Sequence, residues 1–387
     1  MSLIGAKVNK SILIYGFLVL TLFSYILFQN IGERHLYVFL IGVGLGITLY
    51  HASYGFTGGW RNFIEKRDGR FLKSQLIMLG LAVIVFSIFI NSKSFIYGGT
   101  MIGAIAPISI SVVVGSFIFG FAMQLGGGCG SGTLFTAGSG NLKMIITLIF
   151  FIFGSLMGSY HFDFWTKLPS AGSISLLDTF SKVQTILMQL VLISILYFFI
   201  SKLDRNKDIN NREITASETV FNLVKGPWPF IWGAFLLVFF NFLMMQVAGH
   251  PWSVTFAFGL WGAKIAHFVG LEVESWSYWQ LTYPSIALEN SVLADPTTVS
   301  NIGIILGALI ASSLSGGINK ISRINGKLVL AAILGGFLMG YGARLAFGCN
   351  IGALFGGIAS GSLHGWVWFL FAFLGSVIGV KFRKFFY

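Results

Sequence analysis

Gly115–Phe135 reads GSFIFGFAMQLGGGCGSGTLF, and Gly335–Phe355 reads GGFLMGYGARLAFGCNIGALF. At a constant offset of 220 residues, nine of these 21 positions are identical, among them Leu125/Leu345, Gly128/Gly348 and Cys129/Cys349. The similarity resumes after a one-residue slip, with GSLMG at Gly154–Gly158 and GSVIG at Gly375–Gly379. Glycine and leucine match by composition in an apolar chain, but these two cysteines are the only ones it has. The chain reads as a duplication that carries its two thiols at equivalent places.

Outside the motif the chain is apolar almost throughout. Charged residues make up 10% of it and hydrophobic ones 55%, with a mean hydropathy of +0.82. A soluble domain carries about 25% charged residues, and a run of roughly 20 apolar residues crosses a bilayer. The class is an all-α polytopic membrane protein; the short alternating segments of a barrel are absent. The first apolar run is too long for a signal-peptide core and lacks a small-residue cleavage site, so it reads as a retained helix.

Ten spans are expected, near residues 11–29, 36–53, 72–90, 108–127, 143–160, 183–201, 228–247, 299–316, 328–347 and 364–380. With the N-terminus inside, 19 of the 25 Lys and Arg fall in cytoplasmic segments, so both termini are expected in the cytoplasm. That distribution also explains the formal charge of +12 without a nucleic-acid partner. Spans four and nine then run in opposite directions, so the two cysteine motifs are inverted copies. Inverted repeats place a substrate site near the bilayer midplane, where the halves meet. The expected division is a first membrane repeat over 1–201, a cytoplasmic linker over 202–227 and an inverted second repeat over 228–387.

Five glycine-rich stretches are too apolar for solvated loops and too broken for crossing helices: His51–Trp60, Tyr97–Pro107, Gly126–Asn141, Gly249–Lys264 and Phe347–Ser362. Non-helical backbone at membrane depth survives only when buried in protein or lining a cavity. They read as re-entrant loops leading into short half-helices. Close helix packing through small residues is the alternative, and it accounts well for the GxxxG pairs Gly154/Gly158 and Gly375/Gly379.

Cys129 and Cys349 are the sharpest candidates for function. A lone buried cysteine is ordinarily a small hydrophobe, but two at one repeated glycine-rich position point to a shared role. A thiol offers polarizable sulfur and a weak S–H donor, which suits a soft, sulfur-bearing ligand. Burial disfavours thiolate, so these groups read as neutral coordinating thiols rather than nucleophiles. Their spacing is neither a disulfide framework nor a metal site.

Arg344 is the one strong charge within an apolar span, and Gln124 is its repeat equivalent, each five residues before a cysteine. An intramembrane charge is a functional group by default; snorkelling to the interface is the alternative. The segments beginning at Gly130–Ser131 and Asn350–Ile351 read as half-helix N-termini that attract anions, while Ser131 and Asn350 also suit ordinary caps. His51, His250, His267 and His364 lie near span ends and read as interfacial anchors. No nucleotide-binding or hydrolytic signature is present, and no cofactor or metal is expected.

At GFAMQLGGGCGSGTLFTAG and GYGARLAFGCNIGALFGGIASGSLHGWVWF the chain resembles the YeeE/YedE family of sulfur-transport membrane proteins, and ASYGFTGGWRNF and HPWSVTFAFGLWGAK add two further blocks. The resemblance implies a pseudo-symmetric, hourglass-shaped inner-membrane protein whose loops meet at a central constriction. It implies uptake of thiosulfate or a related sulfur anion past the family's cysteines, with no enzymatic step, and often a small soluble sulfur-carrier protein as partner. Cys129 and Cys349 are carried over from the family onto this chain, and the expected path adds Gly128, Gly130, Gly348 and the first-loop residues Gly55 and Thr57. Thiosulfate-transporting members have a further cysteine in a pattern like FCLTGGFR, where this chain has YGFTGGWR, so Gly55 replaces that thiol. The alternative function is a membrane component of sulfur or selenium metabolism whose cysteines exchange sulfur covalently with a partner protein.

Overall fold

The computed structural model describes residues 8–92, 95–205, 223–319 and 324–387. Most of the expected linker, with Lys207 and Arg212, lies outside the described residues, as do Lys7, Lys93, Lys320 and Arg323. Among the described residues ten segments are long and apolar enough to cross a membrane. They match the ten spans read from hydropathy.

Spanning helices are α1 (Lys10–Asn30), α2 (Glu33–His51), α4 (Arg70–Phe89), α5 (Ile110–Gly126), α7 (Leu142–Tyr160), α8 (Lys182–Leu203), α9 (Phe230–Ala248), α11 (Pro296–Ser315), α12 (Gly326–Leu345) and α13 (Leu363–Arg383). The shorter helices between them include α3 (Phe56–Lys66), α6 (Gly130–Gly138) and α10 (Thr255–Phe268), and a π-helical segment, Asn350–Gly356. Even α10, with 14 residues, rises only about 21 Å, short of a hydrocarbon core of about 30 Å. Four of the five glycine-rich stretches therefore lead into helices too short to cross.

The fifth does not. Tyr97–Pro107 enters no short helix; Gly98 and Gly99 take left-handed backbone (φ +84° and +104°), and Pro107 opens a two-stranded ribbon with Ser170–Ser173. Its amides are satisfied across the fold instead: Ile102 N–H donates to the Gly249 carbonyl and Ala104 N–H to Ser360 Oγ, both at 2.9 Å. Extended backbone is stable here because its partners are supplied by other loops.

Local chemistry explains most helix boundaries. Asn9, Ser109, Asn141 and Asn325 each accept a backbone N–H from the first turn of α1, α5, α7 and α12. Asp295 caps α11 with Pro296 at its first position. Gly127, Gly249 and Gly316 end α5, α9 and α11 in left-handed conformation.

Helix packing is decided by glycine. A Cβ at Gly154 of α7 would lie 1.9 Å from the Phe337 carbonyl oxygen of α12, and one at Gly340 of α12 would lie 2.1 Å from the Phe151 carbonyl oxygen. The same contact recurs between α5 and α13: Gly120 against the Ala372 carbonyl at 1.9 Å and Gly375 against Phe117 at 2.1 Å. Each residue of the first set maps onto the second by a shift of 220 or 221 positions. Gly158 and Gly379 complete the GxxxG pairs, facing Arg344 Cβ and the Phe121 carbonyl. Small residues let the backbones touch where a bilayer provides no hydrophobic driving force. Peripheral α1 and α8 carry most of their side chains outward.

Candidate functional site

Both cysteines sit at the first turn of a short helix, and both are buried, at 1% and 0% exposure. Sequence left Ser131 and Asn350 as alternative caps; the structure gives that position to the thiols. Cys129 Sγ accepts Gly132 N–H at 3.4 Å, and Cys349 Sγ accepts Ile351 N–H at 3.4 Å. A sulfur that accepts a backbone amide keeps its own S–H for another acceptor. Ser131 Oγ lies 3.6 Å from Cys129 Sγ, whereas neither polar atom of the Asn350 carboxamide has a partner, at 0% exposure.

The two loops meet. A Cβ at Gly130 would stand 2.9 Å from Cys349 Sγ, so glycine beside one cysteine makes room for the sulfur of the other. Gly348, with φ +149°, and Gly128 allow the backbone to turn tightly onto the helix starts; side chains there would press on Ala353 N at 2.7 Å and Thr133 N at 3.1 Å. The end of α5 that leads into Cys129 is held by three side chains. Arg383 donates to the Gln124 carbonyl (2.9 Å), Tyr387 to Leu125 (3.1 Å) and Lys143 to Gly126 (2.7 Å), cations and a hydroxyl meeting the negative end of the helix.

A cavity opens on each side of the cysteine pair. The first, of about 310 Å³, is lined by Cys129, Gly128, Gly55 and Thr57 and reaches Asp68 and Arg70. The second, of about 140 Å³, is lined by Arg344, Gly348, Tyr278, Ser253 and Thr255. They lie toward opposite ends of α7: Lys143 holds the loop at one end, and Gly158 packs on Arg344 at the other. Those residues are 15 positions apart, about 22 Å of helix.

Arg344 does not snorkel. It is 7% exposed, with its guanidinium turned inward onto neutral partners. Nη1 donates to Tyr278 Oη, and Nη2 donates to Ser155 Oγ at 3.0 Å and the Thr255 carbonyl at 3.3 Å. The Tyr278 ring lies 4.4 Å from Cζ, and Arg344 Nε is buried without a partner. No carboxylate pairs with it among the described residues. Burial pushes the Tyr278 phenol above its ordinary range, so it offers a neutral hydroxyl. At the first cavity the balance differs: the Arg70 hydrogen bonds hold the Asp68 carboxyl below the usual range.

Gln124, the repeat equivalent of Arg344, lines neither cavity. Its Nε2 donates to the Thr57 carbonyl at 3.3 Å, while its Oε1 and the Thr57 hydroxyl have no partner. Gly55 ends as the residue before α3, and a Cβ there would meet only Phe135, at 3.9 Å. Of the histidines, His51 and His364 are buried rather than interfacial, packed against Trp228 and bonded to Ser362 Oγ. His267 is exposed and pairs with Glu274.

These features sit inside a recognised pattern. A profile described as "Sulphur transport" matches residues 51–378. The chain belongs to that family. Similar proteins include "Probable transporter YedE" of Escherichia coli strain K12, 34% identical over 137 residues, which are 35% of this chain and 33% of that protein. The match thus spans about a third of that relative's length. "Thiosulfate transporter TsuA" of Spirochaeta thermophila is 26% identical over 352 residues, covering 87% of this chain and 95% of the relative. The Escherichia coli protein of the same name is 24% identical over 349 residues, 87% and 91% of the two chains. The protein described here is therefore a multi-pass helical bundle of that family.

Tyr278, Ser155 and Thr255 escaped the reading of the sequence. Ser155 lies in the repeated GSLMG and Thr255 in a quoted glycine-rich block, but Tyr278 sits in a loop with no motif to mark it.

Proposed function

We propose that the protein takes up a small sulfur-containing anion, most simply thiosulfate, along a narrow path through the contact of its two cysteine loops. The observation that carries this reading is the pair of buried thiols, one from each repeat, meeting between two cavities. The second cavity is the outer end, where Arg344 attracts the anion; the first opens to the cytoplasm, with both termini on that side. The halves are an inverted pair whose short helices re-enter from opposite faces. The proposed halves are residues 1–201 and 228–387, joined by the linker between them.

Neutral S–H groups are weak donors, which suits conduction: binding must be favourable enough to admit the anion and weak enough to release it. Orphaned polar atoms support the same route. Thr57, which lines the first cavity, and Arg344, which lines the second, each keep an unpaired buried hydrogen-bonding atom, and such groups are costly unless a ligand or water meets them. Covalent sulfur exchange fits less well, because a reactive thiol needs access to its partner. A small soluble sulfur carrier receiving the anion at the inner cavity belongs to this proposal on the strength of the resemblance.

The test is uptake of radiolabelled thiosulfate into vesicles, competed by sulfate, sulfite and selenite. Competition by sulfate as strong as by unlabelled thiosulfate would discard the role given to soft sulfur; no uptake above empty vesicles would discard thiosulfate itself. Arg344→Gln removes a charge-assisted donor, a loss of about 1.5–3 kcal/mol. The half-saturating thiosulfate concentration is therefore expected to rise about tenfold or more. Arg344→Lys recovers little, since an ammonium cannot serve Tyr278, Ser155 and Thr255 together. Wild-type concentration dependence in Arg344→Gln would remove Arg344 from the path.

A further inference from the structure

Arg344 is held by two kinds of partner. Ser155 of α7 and the Thr255 carbonyl of α10 belong to the helical scaffold, while Tyr278 comes from the loop joining α10 to α11. Tyr278 lines the second cavity beside the guanidinium, covering one face with its ring and one nitrogen with its hydroxyl. A neutral phenol oxygen is a poor substitute for a carboxylate or an oxyanion on a buried guanidinium. The loop around it is well anchored: Trp279 Nε1 donates to Ser159 Oγ at 3.1 Å, and Trp276 packs on Tyr160 at 4.9 Å. Release of Tyr278 therefore asks its own side chain to leave its packing on Phe162 and Trp279 while the loop stays in place.

We propose that Tyr278 gates the outer cavity as a displaceable ligand of Arg344, occupying the guanidinium until an arriving oxyanion takes its place. This rests on the reading of the second cavity as the outer end of an anion path. Nε of Arg344, buried and unpartnered, is a further donor that the anion gains on arrival. A purely structural bolt between α7, α10 and α12 would have no use for an exchangeable neutral partner.

Labelling of Cys349 separates these readings without depending on transport. In a Cys129→Ala background Cys349 is the sole thiol, and Gly348 beside it lines the outer cavity. Purified protein in detergent is treated with methanethiosulfonates bearing either a sulfonate or a trimethylammonium group. Tyr278→Ala is expected to accelerate the anionic reagent by about tenfold, the lower end of what a focused charge adds to an on-rate, and the cationic one much less. Tyr278→Phe, which keeps the ring and the packing, should give a smaller acceleration with the same preference, and thiosulfate should slow it. Unchanged anionic rates in both variants, or equal acceleration for both charges, would overturn the gate. If thiosulfate uptake fails while the charge-selective labelling holds, the substrate assignment falls and the gate stands.

Discussion

Replacing Cys349 by alanine is expected to bring thiosulfate uptake down to the background of empty vesicles, and Cys129→Ala to do the same. Each sulfur sits at the first turn of its helix, and the two loops touch through Gly130. On the proposed path an anion passing from one cavity to the other meets both. Alanine removes the S–H donor and the polarizable atom together, leaving only backbone in the constriction. Serine keeps a donor but loses the soft sulfur, so partial uptake is expected in Cys349→Ser. The fold should survive, because a lost N-cap costs about 0.5–2 kcal/mol for oxygen caps and a sulfur acceptor is weaker. Tracer uptake, with monodispersity and thermal midpoint in detergent as the folding control, decides the matter. Undiminished uptake by the folded double variant would end the proposed mechanism.

Gly154→Val should yield no monodisperse protein at all. The added Cβ would lie 1.9 Å from the Phe337 carbonyl oxygen, a backbone atom that moves only if α12 moves. Because α12 also packs on α5, separating it from α7 opens both crossings and the cysteine contact between them. Even Gly154→Ala is expected to lose about 1–3 kcal/mol to overpacking, against a gain near 1 kcal/mol in helix propensity. Gly326→Ala is the control: nothing lies within 4 Å of its Cβ, so the propensity gain stands unopposed. Thermal midpoints of the two alanine variants should therefore move in opposite directions. Equal midpoints would mean that α7 and α12 do not meet as described.

The same glycines divide what was legible from what was not. GSLMG and GSVIG were readable as small-residue packing, and Gly154, Gly158, Gly375 and Gly379 do face other helices closely. Which helices they face was not readable, because GxxxG specifies a smooth surface and not a partner. At Tyr97–Pro107 glycine content misled: φ-permissive residues allow extended backbone as readily as a helix start. Gly55 lines the first cavity with room for a side chain.

Fold class and span number were determined by the sequence alone, and so was the recurrence of the Cys129 motif around Cys349. Hydropathy is a local property, and the bilayer imposes it on any helix that crosses it. Tertiary structure decided that the thiols themselves take the cap positions, that Gly130 shelters the opposite sulfur, and that Arg344 is met by Tyr278, 66 residues away in an unmarked loop. A guanidinium buried without a carboxylate has no partner written beside it in the chain, because its hydrogen bonds come from three elements that meet only when the helices pack.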